Sequence, residues 1–152
     1  MAMKWRLFGI LAIALAAMAT ASVSASATAS EIPNLVGLWS GVGNGYGDEG
    51  GYVSDEDSDI LTMNVTEQRG RIFNGVVTYT EDGVEMTEEF AGVIALDNTT
   101  FYIAEFGSGY DVGTIVSEDE VELLYLQDGE GGGVFIDTLR RGWSEETMFG
   151  RR

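Results

Sequence analysis

The sequence predicts an all-β fold: one antiparallel up-and-down barrel of about eight strands behind an N-terminal signal peptide. Three observations predict it. From Leu35 onward, short runs rich in Val, Ile, Thr, Tyr and Phe alternate with turn clusters of Gly, Asp and Asn. No stretch of this part carries the apolar period of a packed helix. The runs also follow one another at hairpin spacing, and closing such a meander removes both of its exposed edges.

Residues 1–29 read as a secretory leader. Lys4 and Arg6 form its charged start, residues 7–18 are an unbroken apolar run, and Ala25-Ser26-Ala27 or Ala27-Thr28-Ala29 precedes cleavage. The run is shorter than the roughly 20 residues of a membrane span, so export without membrane insertion is expected. Residues 30–141 are the barrel domain and residues 142–152 a C-terminal tail.

Residues 35–42 are read as the first strand, with Trp39 plugging one end of the barrel, and residues 43–59 as a long Gly-rich acidic connection. Residues 60–68 alternate, with Leu61, Met63 and Val65 on one face; Arg69-Gly70-Arg71 turns the chain into residues 72–80. Asp82-Gly83 is a hairpin signal, because Asp-Gly readily takes positive φ. Residues 85–96, 99–106, 110–116, 120–127 and 133–140 complete the set, separated by Asp97-Asn98, Gly107-Ser108-Gly109, Ser117-Glu118-Asp119 and residues 128–132. Met63, Val65, Phe73, Phe101, Ile103, Val121, Leu123, Tyr125, Val134 and Ile136 are expected inside.

Charge and composition exclude several function classes. The formal net charge is −17. Without Lys4 and Arg6, six arginines face 25 acidic residues, a net charge of −19. Such a surface repels phosphates of nucleic acid and anionic lipid, which require Lys and Arg to neutralise them. The chain has no Cys and no His, which removes disulfides, imidazole bases and the usual nucleophilic triads.

Carboxylates are what remains for chemistry. Glu105 lies in an apolar strand and Asp111 follows the next turn, so the pair can meet and work as an acid, the one common hydrolase arrangement left open. Asp55, Asp57 and Asp59 alternate in the first acidic loop and suit weak calcium binding, although Ile60 and Thr66 stand where an EF-hand needs Gly and Glu. The opposite reading of that loop is a solvated acidic segment. Tyr46, Tyr52 and Tyr110 are expected to rim an open barrel mouth, where each offers apolar area and a hydroxyl.

Gly37-Leu38-Trp39 on the first strand, with Arg140 or Arg141 ending the last, resembles the signature of the calycins, the lipocalin, fatty-acid-binding and avidin-like barrels. That resemblance implies a basic side chain packed across the closing tryptophan, assigned here to Arg140. Residues 61–67, 90–94 and 102–106 are also similar to uncharacterised acidic secreted proteins of methanogenic archaea, which implies export.

The function expected is therefore a secreted or cell-envelope binding module, not an enzyme and without a resident cofactor. It takes a small apolar or amphipathic ligand at the end opposite Trp39. The alternatives are a protective acidic surface protein with no small ligand and, third, a carboxylate hydrolase using Glu105 and Asp111.

Overall fold

The computed structural model describes residues 31–81 and 83–142. Residues 1–30, which include the expected leader, lie outside the described residues, as do Asp82 of the hairpin signal and residues 143–152 of the expected tail. Nine strands appear in chain order: β1 (Gly37–Gly47), β2 (Gly51–Val53), β3 (Leu61–Arg69), β4 (Ile72–Glu81), β5 (Val84–Ile94), β6 (Thr100–Glu105), β7 (Tyr110–Ser117), β8 (Glu120–Gln127) and β9 (Gly133–Arg141). Each of β3 to β9 pairs antiparallel with the next, and β1 closes the ring by pairing with both β3 and β9. The result is the expected closed eight-stranded barrel, with β2 as a short extra strand on the outer part of β1.

The first strand is longer than its sequence suggests. Residues 43–47 read as loop because of their glycines, yet β1 runs on to Gly47 and forms a hairpin with β2. The glycines have a packing reason. Gly37, Gly41, Gly43, Gly45 and Gly47 share the inward face of β1 with Trp39, and residues of β9 fill the space beside Gly41, Gly43 and Gly45. A Cβ at Gly41 would overlap the Thr138 carbonyl, one at Gly43 the Asp137 carboxylate, and one at Gly45 the Phe135 ring.

The same device recurs around the ring. Gly75 faces Phe90, Gly92 faces Phe73, and Gly113 faces Phe101, each directly across a strand pair. Such glycine positions let a sheet coil tightly enough to close, while the opposite ring covers the bare backbone. Gly41→Ala is expected to destabilise the fold by about 1–3 kcal/mol, the usual cost of overpacking, because the obstacle is backbone that cannot swing away. Urea denaturation of the variant would check this; a midpoint equal to wild type would refute it.

The core lies toward the Trp39 end. Trp39, Leu35, Met63, Val65, Phe73, Phe90, Ile94, Phe101, Val121 and Leu139 are nearly inaccessible, with Phe73 edge-on to both Phe90 and Phe101 at centroid distances of 6.1 and 5.9 Å. Edge-to-face rings add to the area term of burial. Seven of the expected interior residues are buried here, and Tyr125 is half-buried on the same side of its strand.

Val134 and Ile136 are corrected. They point outward, and β9 turns Phe135, Asp137, Leu139 and Arg141 inward instead. β9 carries apolar side chains on both faces, so alternation alone does not choose its side.

Candidate functional site

The two ends of the barrel differ in chemistry. At the closed end, residues 33–36 fold over the mouth and Leu35 drops into it. Gln68 holds that segment: its side-chain oxygen accepts from the Leu35 N–H at 2.8 Å, and its amide donates to the Pro33 carbonyl at 2.8 Å. Trp39 Nε1 donates to the Leu35 carbonyl at 2.8 Å, so the buried indole leaves no unmet donor.

Arg141, not Arg140, covers the tryptophan. Its guanidinium carbon lies 4.0 Å from the Trp39 ring centroid, and Nη1 and Nη2 donate to the carbonyls of Val36 (2.6 Å) and Asn34 (2.8 Å). Arg140 faces outward and pairs with Glu120 at 2.9 Å. The assignment to Arg140 followed from the inverted side of β9, since Arg141 shares the face of Leu139.

The opposite end reverses the usual distribution of polarity, with carboxylates inside. Glu105 on β6 and Asp111 on β7, brought together by the tight turn at residues 106–109, form a side-chain hydrogen bond with each other. Two carboxyl groups can share such a bond only if a proton lies between them. Glu88 on β5 adjoins Glu105 and accepts from the Tyr79 hydroxyl at 3.1 Å. Tyr125 donates to the Gln127 side chain at 2.7 Å, and its ring lies over Gly109. Asp137 on β9 completes the group against bare backbone at Gly43.

Burial sets the protonation here. Asp111 is 4% exposed and Asp137 8%. Desolvation pushes Glu105 well above the carboxylate range, with the nearby charges of Asp111 and Glu88 adding to it. Desolvation also raises Asp111, the hydrogen bond from Glu105 opposes it, and the Asp137 charge reinforces it. Burial lifts Asp137 to about 6. Sequence reasoning anticipated the Glu105–Asp111 approach from one hairpin. It missed Tyr79, Glu88 and Asp137, whose convergence depends on several strands facing one lumen.

The three tyrosines do not rim the lumen. Tyr46, Tyr52 and Tyr110 stand on the outer wall, about two-thirds exposed, and the Tyr46 and Tyr52 rings lie side by side with centroids 6.2 Å apart. Nor do Asp55, Asp57 and Asp59 converge. Asp57 is held in a local turn, accepting from the Ser54 hydroxyl at 2.7 Å, and among the described residues no group of three or more acidic side chains could hold a metal ion. An open groove of about 400 Å³, lined by Ile32, Asn34, Val36, Gln68 and Gly70, lies beside the closed end rather than in the lumen.

Charge follows the same axis. The four arginines among the described residues are Arg69, Arg71, Arg140 and Arg141, at the end of β3, just before β4 and at the end of β9, all at the Trp39 end. The other end carries Asp48, Glu49, Glu85, Asp128 and Glu130 in or beside its turns, with no cation among the described residues.

No family model matches the chain, and no curated protein matches it. Among solved structures it is similar to a redesigned β-barrel, with a TM-score of 0.51 and 16% sequence identity, over 72% of this chain and 92% of that one. Likeness at that identity is a likeness of fold, and it places the chain among small closed antiparallel β-barrels.

Proposed function

We propose that this chain is an exported, non-catalytic binding module that takes a small amphipathic, positively charged molecule at the barrel end opposite Trp39. One observation carries the reading: the ends are built to opposite purposes. The Trp39 end is sealed by Leu35, Gln68 and Arg141 and holds every described arginine. The other end carries acidic turns with Asp48, Glu49, Asp128 and Glu130 at its rim and exposed tyrosines on the wall beside them, a pairing that suits a cation with an apolar body. The stacking of Arg141 on Trp39 supports a calycin-like ancestry for such a module.

A protective acidic coat would favour charge spread evenly over the outside. Three of the four described arginines pair with carboxylates at the Trp39 end, Arg69 with Glu67, Arg140 with Glu120 and Arg141 with Asp119. Among the described residues only the opposite end therefore has acidic turns with no cation beside them, and that asymmetry argues against the alternative. A carboxylate hydrolase would rest on Glu105 and Asp111, but Asp111 is almost inaccessible and the pair spends its hydrogen bond internally.

Native mass spectrometry of the mature protein from its own envelope tests the proposal. The expected result is a small positively charged species that leaves on denaturation. A bare polypeptide mass would overturn it.

A further inference from the structure

The outer wall carries a feature that ligand binding in the lumen does not use. Tyr52 pairs with Tyr46, Tyr46 with Val134, Val134 with Leu126, and Leu126 with Tyr110. These five residues from β2, β1, β9, β8 and β7 are therefore direct cross-strand neighbours in one row. Each is between 44% and 67% exposed. At the usual strand spacing the row runs for about 19 Å across the barrel. One pleat further along, Ile136, Leu124 and Val112 form a second apolar row in register with the first. Neither row contains a charge.

The borders are polar and one-sided in charge. Toward the Trp39 end the next row is Thr138, Glu122 and Thr114. Toward the other end, the turns after β1 and β8 are joined by a hydrogen bond from Asp48 N to Gly132 O at 2.8 Å. They bring Asp48, Glu49, Asp128 and Glu130 along the edge of the patch. An uncharged apolar surface of this kind exceeds the scattered exposure of a soluble monomer and marks a contact region.

The charges choose among occupants. A bilayer does not fit: the two rows stand about 7 Å apart along the strands, against an apolar band about 25 Å tall on membrane barrels, and the acidic border repels anionic headgroups. A second copy would press like-charged turns together, in a chain of net charge −17 with no described arginine near the patch. What complements an apolar strip edged by carboxylates, with tyrosines at both ends, is an apolar strip edged by lysine or arginine.

We propose that the outer face of β7, β8, β9 and β1, extended by Tyr52, is a docking surface for a protein partner presenting an apolar strand or strip flanked by lysine or arginine. The interaction is independent of any small ligand, so the mass measurement above and the following test fail separately. The probe is a synthetic peptide of about twelve residues alternating Val and Lys, with a Val and Glu peptide as control. Each is titrated against the full mature chain, with binding mapped by amide chemical shifts.

The Lys peptide is expected to bind and to perturb the amides of Tyr46, Leu126 and Val134. Binding should weaken several-fold as salt is raised, and fall about tenfold in the double variant Leu126→Thr, Val134→Thr. Both replacements are at exposed strand positions and favour β structure; Tyr46→Ser is the second variant should that one misfold. Absence of binding, equal binding of the Glu peptide, or shifts confined to residues 54–60 would overturn the proposal. So would a concentration-dependent dimer abolished by the same double variant, which would assign the surface to a second copy.

Discussion

Trp39→Ala is expected to cost about 3–5 kcal/mol, the range for deleting a large buried aromatic side chain. For a domain whose total stability is on the order of 5–15 kcal/mol, that is the difference between a folded and a partly unfolded population. The size follows from what the indole joins. It is fully buried, it donates to the Leu35 carbonyl, and it supports the Arg141 guanidinium that ties down Asn34 and Val36. Removing it opens a cavity and also releases the segment that closes the barrel.

The adjacent arginines provide the control. Arg141→Ala should lose about 1–2 kcal/mol, because the stacking contact, three carbonyl bonds and an exposed ion pair with Asp119 go together. Arg140→Ala removes a solvent-exposed ion pair with Glu120 and should change stability by less than about 0.5 kcal/mol. Urea midpoints of the three variants check the order. Equal losses at positions 140 and 141 would mean that the clamp across the closed end does not bear on stability.

These two arginines show how far the sequence could be read. The strand and turn rhythm was legible because turn chemistry and alternation agreed: Gly70, Gly83, Asn98 and Gly129 all have positive φ at the breaks between strands. The side of β9 was not legible. Val134 and Ile136 look like core and Asp137 does not, so the plausible choice placed the aliphatics inside and carried Arg140 to Trp39. In the fold, Asp137 faces inward because it shares the side of β9 that turns Leu139 into the core and Arg141 onto Trp39, and because Gly43 leaves room beside it. No pattern within β9 contains that information.

The tyrosines failed for a related reason. Tyr46 is an odd number of residues from Trp39, so on one continuous strand it must face away from the lumen. The strand's glycines resemble a loop, so the sequence ends it at Val42. Their meaning depends on Phe135, Asp137 and Leu139 approaching from β9, about ninety residues later in the chain. The approach of the Glu105 and Asp111 side chains needs only the β6–β7 hairpin, in which Asp111 lies opposite Ile103, and that much local sequence does specify.

The same carboxylates give the second large effect, on the dependence of stability on pH. Folding raises Glu105 to about 8, Asp111 to about 7 and Asp137 to about 6, chiefly by desolvation. A raised acid binds more protons in the folded state than in the unfolded chain. Its stabilisation is therefore complete below the unfolded value, near 4, and is lost as pH rises through the folded value. These groups therefore make the protein lose stability steadily from about pH 4 to about pH 8. Glu105 is partly solvated and shares its proton with Asp111, so the total is far below the sum of separate shifts, roughly 3 kcal/mol, or about 10 °C in Tm for a domain of this size.

The window isolates the cause. Ordinary surface carboxylates titrate below it, and the chain has no histidine, so the charge repulsion of the acidic surface is nearly constant between pH 5.5 and 8. Asp111→Asn removes one member and leaves an amide able to donate to Glu105, so the fall in Tm across that interval should shrink by about half or more. Thermal unfolding followed by circular dichroism at half-unit steps of pH would measure both proteins. A flat profile for the wild type, or a slope unchanged in the variant, would show that the buried carboxylates share no proton and that the lumen at this end is open to water.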